Sequence, residues 1–323
     1  MALTLAIPSK GRLQEQAGAY FADAGAALEK AAGGRGYRAT LSGLPGIDVM
    51  LLSASEIAAA LLAGDVHLGI TGEDLIRENA PELESRITLV RPLGFGFANV
   101  VVAVPQAWID VSTMADLDDV CAAFAHRHRR RLRVATKYVH LTRAFFAHAG
   151  ISDYRIVESA GATEGAPTAG TAEAIVDITT TGATLAANGL KTLEDGTILE
   201  SQAQLAASLS ADWGGEKRAS ARALLARLGA RERAKASHVL RVRLDANAEK
   251  IIAALGEAGI SPLSRPASAA GEYALLCPRA RLMEAMAALR AQGCAASATV
   301  HDVDYVFDDA NALYAKLAAA LPR

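Results

Sequence analysis

Apolar and polar positions alternate between two periods along this chain. LTLAIPS (residues 3–9) is a short apolar run that ends at Lys10-Gly11-Arg12. From Gln14 to Leu28 small and apolar residues recur three and four apart, the spacing of a helix. IDVMLLSA (47–54) predicts a second strand, followed by a helix over EIAAALLAG with Ser55 as its cap and Gly64 as its stop. HLGITGEDLIRE (67–78) predicts a strand that breaks at Thr71-Gly72 and runs into another helix. Strand, helix and strand in repeated order imply a parallel sheet with right-handed crossovers.

NVVVAVP (99–105) reads as a buried strand that carries the chain out of this first series. A helix over 116–131, the strand LRVATKY (132–138), the helix LTRAFFAHAG (141–150) and the strand YRIVESAG (154–161) make a second βα series. IVDITTTGATL (175–185) closes it. After Asn188-Gly189 a long helical stretch is expected through Leu228, with Trp213-Gly214-Gly215 as a turn inside it. The composition changes near 229–236. Downstream, SHVLRVRLD, ANAEKIIAALGEAG, SPLSRPA, EYALLCP, RARLMEAMAALRAQG and ASATVHDVDYVF predict the order βαββαβ, the ferredoxin-like split unit, before a final helix NALYAKLAAAL. The chain therefore reads as residues 1–104 completed by about 190–230, residues 105–189, and a small unit over 236–323.

Composition narrows the class. At 323 residues the chain is long enough for about two or three domains. The mean hydropathy of +0.19 is raised by alanine, which favours helices rather than a bilayer. No apolar run approaches the roughly 20 residues of a membrane span, and MALTLAIPSKGR lacks the basic-then-apolar order of a secretory signal. The three cysteines, Cys121, Cys277 and Cys294, are scattered with no metal-like spacing, which fits a reducing cytoplasm. A net charge of −2 argues against nucleic acid as a partner, and the run HRHRRR (126–131) at a helix end reads as a solvated terminus meeting the helix dipole.

The densest chemistry lies in 175–185. Asp177 falls at the end of a strand, at the carboxyl edge where open α/β sheets bind ligands. The following residues turn at Gly182 and enter a helix, so successive amides form an anion nest, and Thr179, Thr180, Thr181 and Thr184 add hydroxyl donors. Read alone, the segment is equally a threonine-rich βα turn with an ordinary cap. The adjacent acid favours function: a carboxylate beside a phosphate nest needs sugar hydroxyls or a bridging metal ion. Together they point to the 5-phosphate end of a ribose.

Glu164–Leu185, EGAPTAGTAEAIVDITTTGATL, resembles the signature of the ATP phosphoribosyltransferase family: Glu164, Gly170, Asp177, Thr181, Gly182, Thr184 and Leu185 fill its places. AIPSKGRL (6–13), GITGEDL (69–75), VATKYVHLTRAFF (134–146) and ANGLKTLEDGTILESQAQL (187–205) are similar to the same family in the same order. The last unit resembles the regulatory domain of the family's long form in length and element order. The resemblance implies transfer of a phosphoribosyl group from phosphoribosyl pyrophosphate to N1 of ATP, with Mg²⁺, as the first step of histidine biosynthesis. It also implies an α/β fold of two periplasmic-binding-protein-like lobes with the active site in the cleft, followed by the regulatory domain. Histidine as inhibitor, a dimeric or hexameric assembly and a cytoplasmic location follow from the same source.

Carried over residue by residue, Asp177, Thr179, Thr180, Thr181, Gly182, Ala183 and Thr184 hold phosphoribosyl pyrophosphate. Asp177 serves the ribose hydroxyls or, through the substrate, magnesium. Lys10, Arg12 and Lys137 are the cations for pyrophosphate and ATP, with Arg143 a further candidate. Gly11, Thr71, Gly72 and Asp74 form the ATP-side wall, and Glu164 orders the loop. The sequence departs from the family at Glu73, where arginine is usual, at Ser55-Glu56, and in the last unit around 261–270 and DVDYVF, so no effector residues are assigned. A bilobal small-molecule-binding protein and an inactive regulatory paralogue are the alternatives. The missing leader and the intact loop weigh against the first, and the loop with the Lys10–Arg12 turn against the second.

Overall fold

The structure, a computed structural model, describes residues 2–30, 37–80, 82–159, 161–244, 248–257, 259–264, 270–291 and 298–321. Cys294 and parts of the expected segments over 245–247, 265–269 and 292–297 lie outside the described residues. The chain divides into two compact units, one of residues 1–22, 27–218 and 316–323, the other of residues 23–26 and 219–315.

The chain opens with β1 (Leu3–Pro8), α1 (Gly11–Asp23), β2 (Leu28–Lys30), β3 (Arg38–Leu41), β4 (Ile47–Leu52), α2 (Ala54–Ala63), β5 (Leu68–Gly72), α3 (Glu73–Asn79), α4 (Leu83–Arg86) and β6 (Ile87–Pro92). There follow β7 (Asn99–Pro105), α5 (Met114–His128), β8 (Leu132–Thr136), α6 (Val139–His148), β9 (Tyr154–Glu158), β10 (Ala174–Thr179), α7 (Ala183–Ala187) and β11 (Leu190–Leu199). β12 (Ala203–Ser208) and α8 (Gly215–Ala236) precede β13 (Ser237–Leu244), α9 (Ala248–Gly256), β14 (Ser261–Ser264), β15 (Gly271–Pro278), α10 (Leu282–Ala291), β16 (Ala298–His301) and α11 (Ala312–Ala320).

The first unit holds two sheets. One runs β2-β3-β4-β1-β5-β12-β6, with β1 parallel to β4 and β5; the other runs β11-β7-β10-β8-β9, with β8 parallel to both β9 and β10. Each sheet is one lobe with its own core: Ile57, Leu61 and Ile76 pack in the first, and Val102, Val134, Phe146 and Val176 in the second. The chain crosses between lobes twice, after β6 and after β11, and the two crossings pair. Leu93 N–H donates to Ala203 O, Ala203 N–H to Phe95 O and Ala98 N–H to Ser201 O, each at 2.9 Å. The parallel strands of both lobes end in the turns that carry the expected site residues. In the second unit β13, α9, β14, β15, α10 and β16 follow the βαββαβ order, and their antiparallel sheet runs β14-β15-β13-β16 over a core of Leu240, Ile251, Leu255, Tyr273, Leu275 and Leu289.

Four expectations are corrected. The stretch after Gly189 becomes helical only from Gly215: before that it forms β11 and β12, and all six residues of β12 are buried between β5 and β6. Alanine-rich AQLAAS carries helix propensity, but burial on both faces of a central strand overrides it. Trp213-Gly214-Gly215 does not interrupt a helix; it leads into α8, with the Trp213 indole N–H donating to Ser208 O at 2.7 Å. Ser53 rather than Ser55 caps α2. Its hydroxyl accepts from Glu56 N–H at 3.3 Å while the Glu56 carboxylate accepts from Ser53 N–H at 2.7 Å, a capping box that places Ser55 inside the first turn. β7, expected to end the first lobe, pairs with β10 and β11 in the second sheet.

Candidate active site between the two lobes

The loop after β10 is built as expected, strand into turn into helix, and it holds its own polar groups. Gly182 sits at φ 75°, the left-handed region open to glycine, and begins α7. Its N–H donates to Thr179 Oγ1 at 2.7 Å, and Ala183 N–H donates to Thr181 Oγ1 at 3.4 Å. The two amides of the nest thus already meet acceptors from their own loop, as in an ST-turn. Thr180 reaches across to the first crossing, its hydroxyl donating to Phe97 O at 3.0 Å. Thr180, Thr181, Ala183 and Thr184 are exposed.

Asp177 is half-buried and its Oδ1 accepts from Ile178 N–H at 2.8 Å. Burial pushes its carboxyl above the usual aspartate range; the Ile178 amide and the Lys137 ammonium oppose that rise, and the Glu164 carboxylate adds to it. Glu164 itself lies in a 3-10 turn at Thr163–Gly165. Lys137 is exposed at the end of β8, its Nζ 4.9 Å above the centre of the Tyr138 ring.

A cavity of about 500 Å³ is lined by Arg12, Leu13 and Gln16 of α1, by Gly94, Phe95, Gly96 and Phe97 of the first crossing, and by Thr180. It brings one expected cation from the first lobe together with the threonine loop of the second. The Gln16 side-chain oxygen is buried and has no hydrogen-bond partner among the described residues. Lys10 and Gly11 are exposed beside it, Gly11 at φ 74°, and the Lys10 charge also bears on Glu56.

Two of the expected wall residues are buried and hydrogen-bonded within the protein. Thr71 is fully buried and its hydroxyl donates to Ala54 O at 2.8 Å. Asp74 is buried, with Oδ2 accepting from the Tyr138 hydroxyl at 2.7 Å and Oδ1 from the Ser201 hydroxyl at 2.9 Å. Glu73, in the usual place of an arginine, is also occupied: Arg77 Nε and the Gln204 amide nitrogen both donate to it at 2.7 Å. Arg143 is exposed on α6 and its charge bears on Tyr154.

Sequence reading did not single out Tyr138 and Ser201, which hold Asp74, nor Gln16, nor Glu78, whose carboxylate accepts from His140 and Leu141 N–H. Tyr138 lay within an apolar strand run, Ser201 within a stretch read as helical, and Gln16 on an amphipathic helix. None carried a local signal.

A second hollow of about 540 Å³, lined by Trp108, Phe124, Arg127 and His128 among others, contains none of the expected residues. Within the HRHRRR run Arg130 pairs with Glu173 at 3.0 Å and Arg131 with Asp153 at 3.9 Å, and Arg133, just beyond the run, also pairs with Glu173, at 2.7 Å. Among the described residues no group of three or more His, Cys, Asp or Glu could hold a metal ion, and no helix is long and apolar enough to cross a membrane.

The family model for ATP phosphoribosyltransferase matches residues 53–230. The ATP phosphoribosyltransferase of Rhodopseudomonas palustris (strain HaA2) is 56% identical over 319 residues, covering 98% of each chain. That of Bradyrhizobium diazoefficiens is 56% identical over 324 residues, covering 99% of this chain and 98% of the other. Among solved structures, the ATP phosphoribosyl transferase (HisG:HisZ) complex from Thermotoga maritima matches with a TM-score of 0.52 at 23% identity, over 70% of this chain and 96% of that one, a likeness of fold.

Proposed function

The chain belongs to the ATP phosphoribosyltransferase family, and on that premise we propose how its two lobes bind the substrates of the reaction. The enzyme transfers the phosphoribosyl group of phosphoribosyl pyrophosphate to ATP, releasing pyrophosphate, the first step of histidine biosynthesis. The observation that carries the site assignment is the cavity shared by Arg12 of the first lobe and Thr180 of the second.

The loop Thr179–Thr184 holds the 5-phosphate. A phosphate oxygen replaces Thr179 and Thr181 as acceptor for the Gly182 and Ala183 amides, freeing those hydroxyls to donate to the same anion. Asp177 accepts from the ribose hydroxyls, which fixes the sugar with C1′ toward the cleft. Arg12, Lys10 and Lys137 meet the pyrophosphate and the ATP phosphates as charge-assisted donors.

The nucleophile needs no general base, because N1 attacks with a lone pair as the C1′–oxygen bond to pyrophosphate breaks. The chain contributes orientation and fixed positive charge as C1′ becomes cationic and the leaving group gains charge. The donor set fits magnesium only as an ion carried by the substrate: Asp177 is a single half-buried carboxylate, and Mg²⁺ is commonly held by one or two carboxylates plus substrate phosphates. When bound, the ion supplies charge neutralisation on the departing pyrophosphate.

The same reading assigns feedback inhibition by histidine to the unit over 236–323, and gives the enzyme a dimeric or hexameric assembly in the cytoplasm. Formation of phosphoribosyl-ATP followed by absorbance, with ATP, phosphoribosyl pyrophosphate and Mg²⁺, tests the reading. Product formation that histidine suppresses is expected. No product overturns the substrate assignment; product formation indifferent to histidine overturns the regulatory one alone.

A further inference from the structure

The lobes are tied together by polar contacts that the reaction itself does not use. Asp74, in the first turn of α3, is 4% exposed, and among the described residues its carboxylate bonds to hydroxyls rather than to a cation. Its two oxygens accept from the hydroxyls of Tyr138 and Ser201, and its own N–H donates to Ser201 Oγ at 3.0 Å. Tyr138 belongs to the second lobe, at the turn from β8 to α6. Ser201 belongs to the second crossing, where its carbonyl accepts from Ala98 N–H. One carboxylate therefore joins the first lobe, the second lobe and the strap between them.

Glu78, one turn further along α3, strengthens the junction. Its oxygens accept from His140 and Leu141 N–H at 2.9 and 3.0 Å, so a side chain of one lobe caps a helix of the other. Gly72 is fitted to the same arrangement, since a Cβ there would overlap Asp74 Oδ1.

A buried carboxylate is a costly way to join two surfaces that aliphatic side chains would join as well. Its advantage is geometric, because three directional contacts admit one spacing. What that spacing controls is the next residue along. Lys137 precedes Tyr138, rests its ammonium over the Tyr138 ring and lies close enough to Asp177 to act on its charge. Tyr138 has little freedom, its N–H donating to Thr136 Oγ1 at 2.9 Å and its carbonyl accepting from the Thr142 hydroxyl.

We propose that Asp74 and Tyr138 are positioning residues, whose hydrogen bond across the lobes fixes the cleft width and holds Lys137 against the pyrophosphate of the phosphoribosyl donor. The proposal rests on the role given to Lys137 above. Sub-ångström displacement of a positioned group is enough for large rate effects: about 1 Å can cost on the order of 100-fold.

The test is a mutant cycle on the full-length protein, with kcat and KM measured for each substrate. Tyr138→Phe keeps the ring under Lys137 and removes only the hydroxyl. It should lower kcat/KM for phosphoribosyl pyrophosphate roughly 10- to 100-fold, with a smaller change in KM for ATP and a folded protein by thermal unfolding. Asp74→Asn should match it. In a Lys137→Ala background Tyr138→Phe should add little, because the hydroxyl acts through the lysine. Losses that multiply in the double variant, or wild-type kinetics in Tyr138→Phe, overturn the proposal. If Asp74→Asn does not fold, the Tyr138–Lys137 cycle decides alone. Wild-type turnover in the same series reports separately on the functional reading.

Discussion

Lys137 and Asp177 stand at the ends of adjacent parallel strands, β8 and β10, whose register pairs Val134 with Ala174 and Ala135 with Ile175. The ammonium opposes the rise that burial imposes on the Asp177 carboxyl. This pair gives the site a pH dependence with a definite sign. Asp177 must be ionised to accept from the ribose hydroxyls, and its raised pKa means that it protonates at a higher pH than a free aspartate. kcat/KM for phosphoribosyl pyrophosphate should therefore fall on the acid side, with a limb above the ordinary aspartate range. Lys137→Ala removes an opposing charge and should move that limb to higher pH. A limb that stays in place or moves down would separate the two residues.

Gly182 tests the loop backbone. Its φ is 75° and a Cβ there would meet nothing within 4 Å, so a substitution feels conformation rather than crowding. Gly182→Ala should cost about 1–2 kcal/mol in urea unfolding and raise KM for the phosphoribosyl donor. Gly182→Asn should cost less, because asparagine tolerates the left-handed region. Equal stability of Gly182→Ala and the wild type would mean that the turn relaxes without loss.

Glu173 carries a pH-dependent part of the second lobe's stability. Burial pushes its carboxyl up, but the hydrogen bonds from Arg133 and Arg130 and the Arg133 charge outweigh this and hold it at about 2 against an ordinary 4.5. A depressed pKa means that the stabilisation is complete above about 4.5 and is lost as pH falls toward 2. At about 1.4 kcal/mol per unit, discounted for the partial exposure of both arginines, the cluster contributes about 1–3 kcal/mol. Glu173→Gln should lose that amount at neutral pH and flatten the acid dependence of unfolding. An unchanged profile would remove the cluster from the account.

What could be read from the chain was local. The strand end, the acid, the glycine turn and the four threonines of 175–185 lie within one βα unit, so their sequence order is their spatial order. The Lys10–Arg12 turn was legible for the same reason. Asp74 was noticed but its partners Tyr138 and Ser201 were not, because they are remote in sequence and only the fold brings them to it. Ser53 displaced Ser55 as a cap because neighbouring serines compete and the end of β4 decides between them. β12 was hidden by its alanines, whose helix propensity yields to burial inside a sheet.

The assignment of the threonine loop to the phosphoribosyl donor is met most directly by titrating phosphoribosyl pyrophosphate, with Mg²⁺, into the wild type, Thr181→Val and Asp177→Asn. Each substitution removes one kind of contact, a phosphate acceptor-donor or a ribose acceptor. Donor affinity should fall roughly 5- to 100-fold in each, with ATP binding preserved. Wild-type donor affinity in both variants would contradict the assignment and move the phosphate site elsewhere.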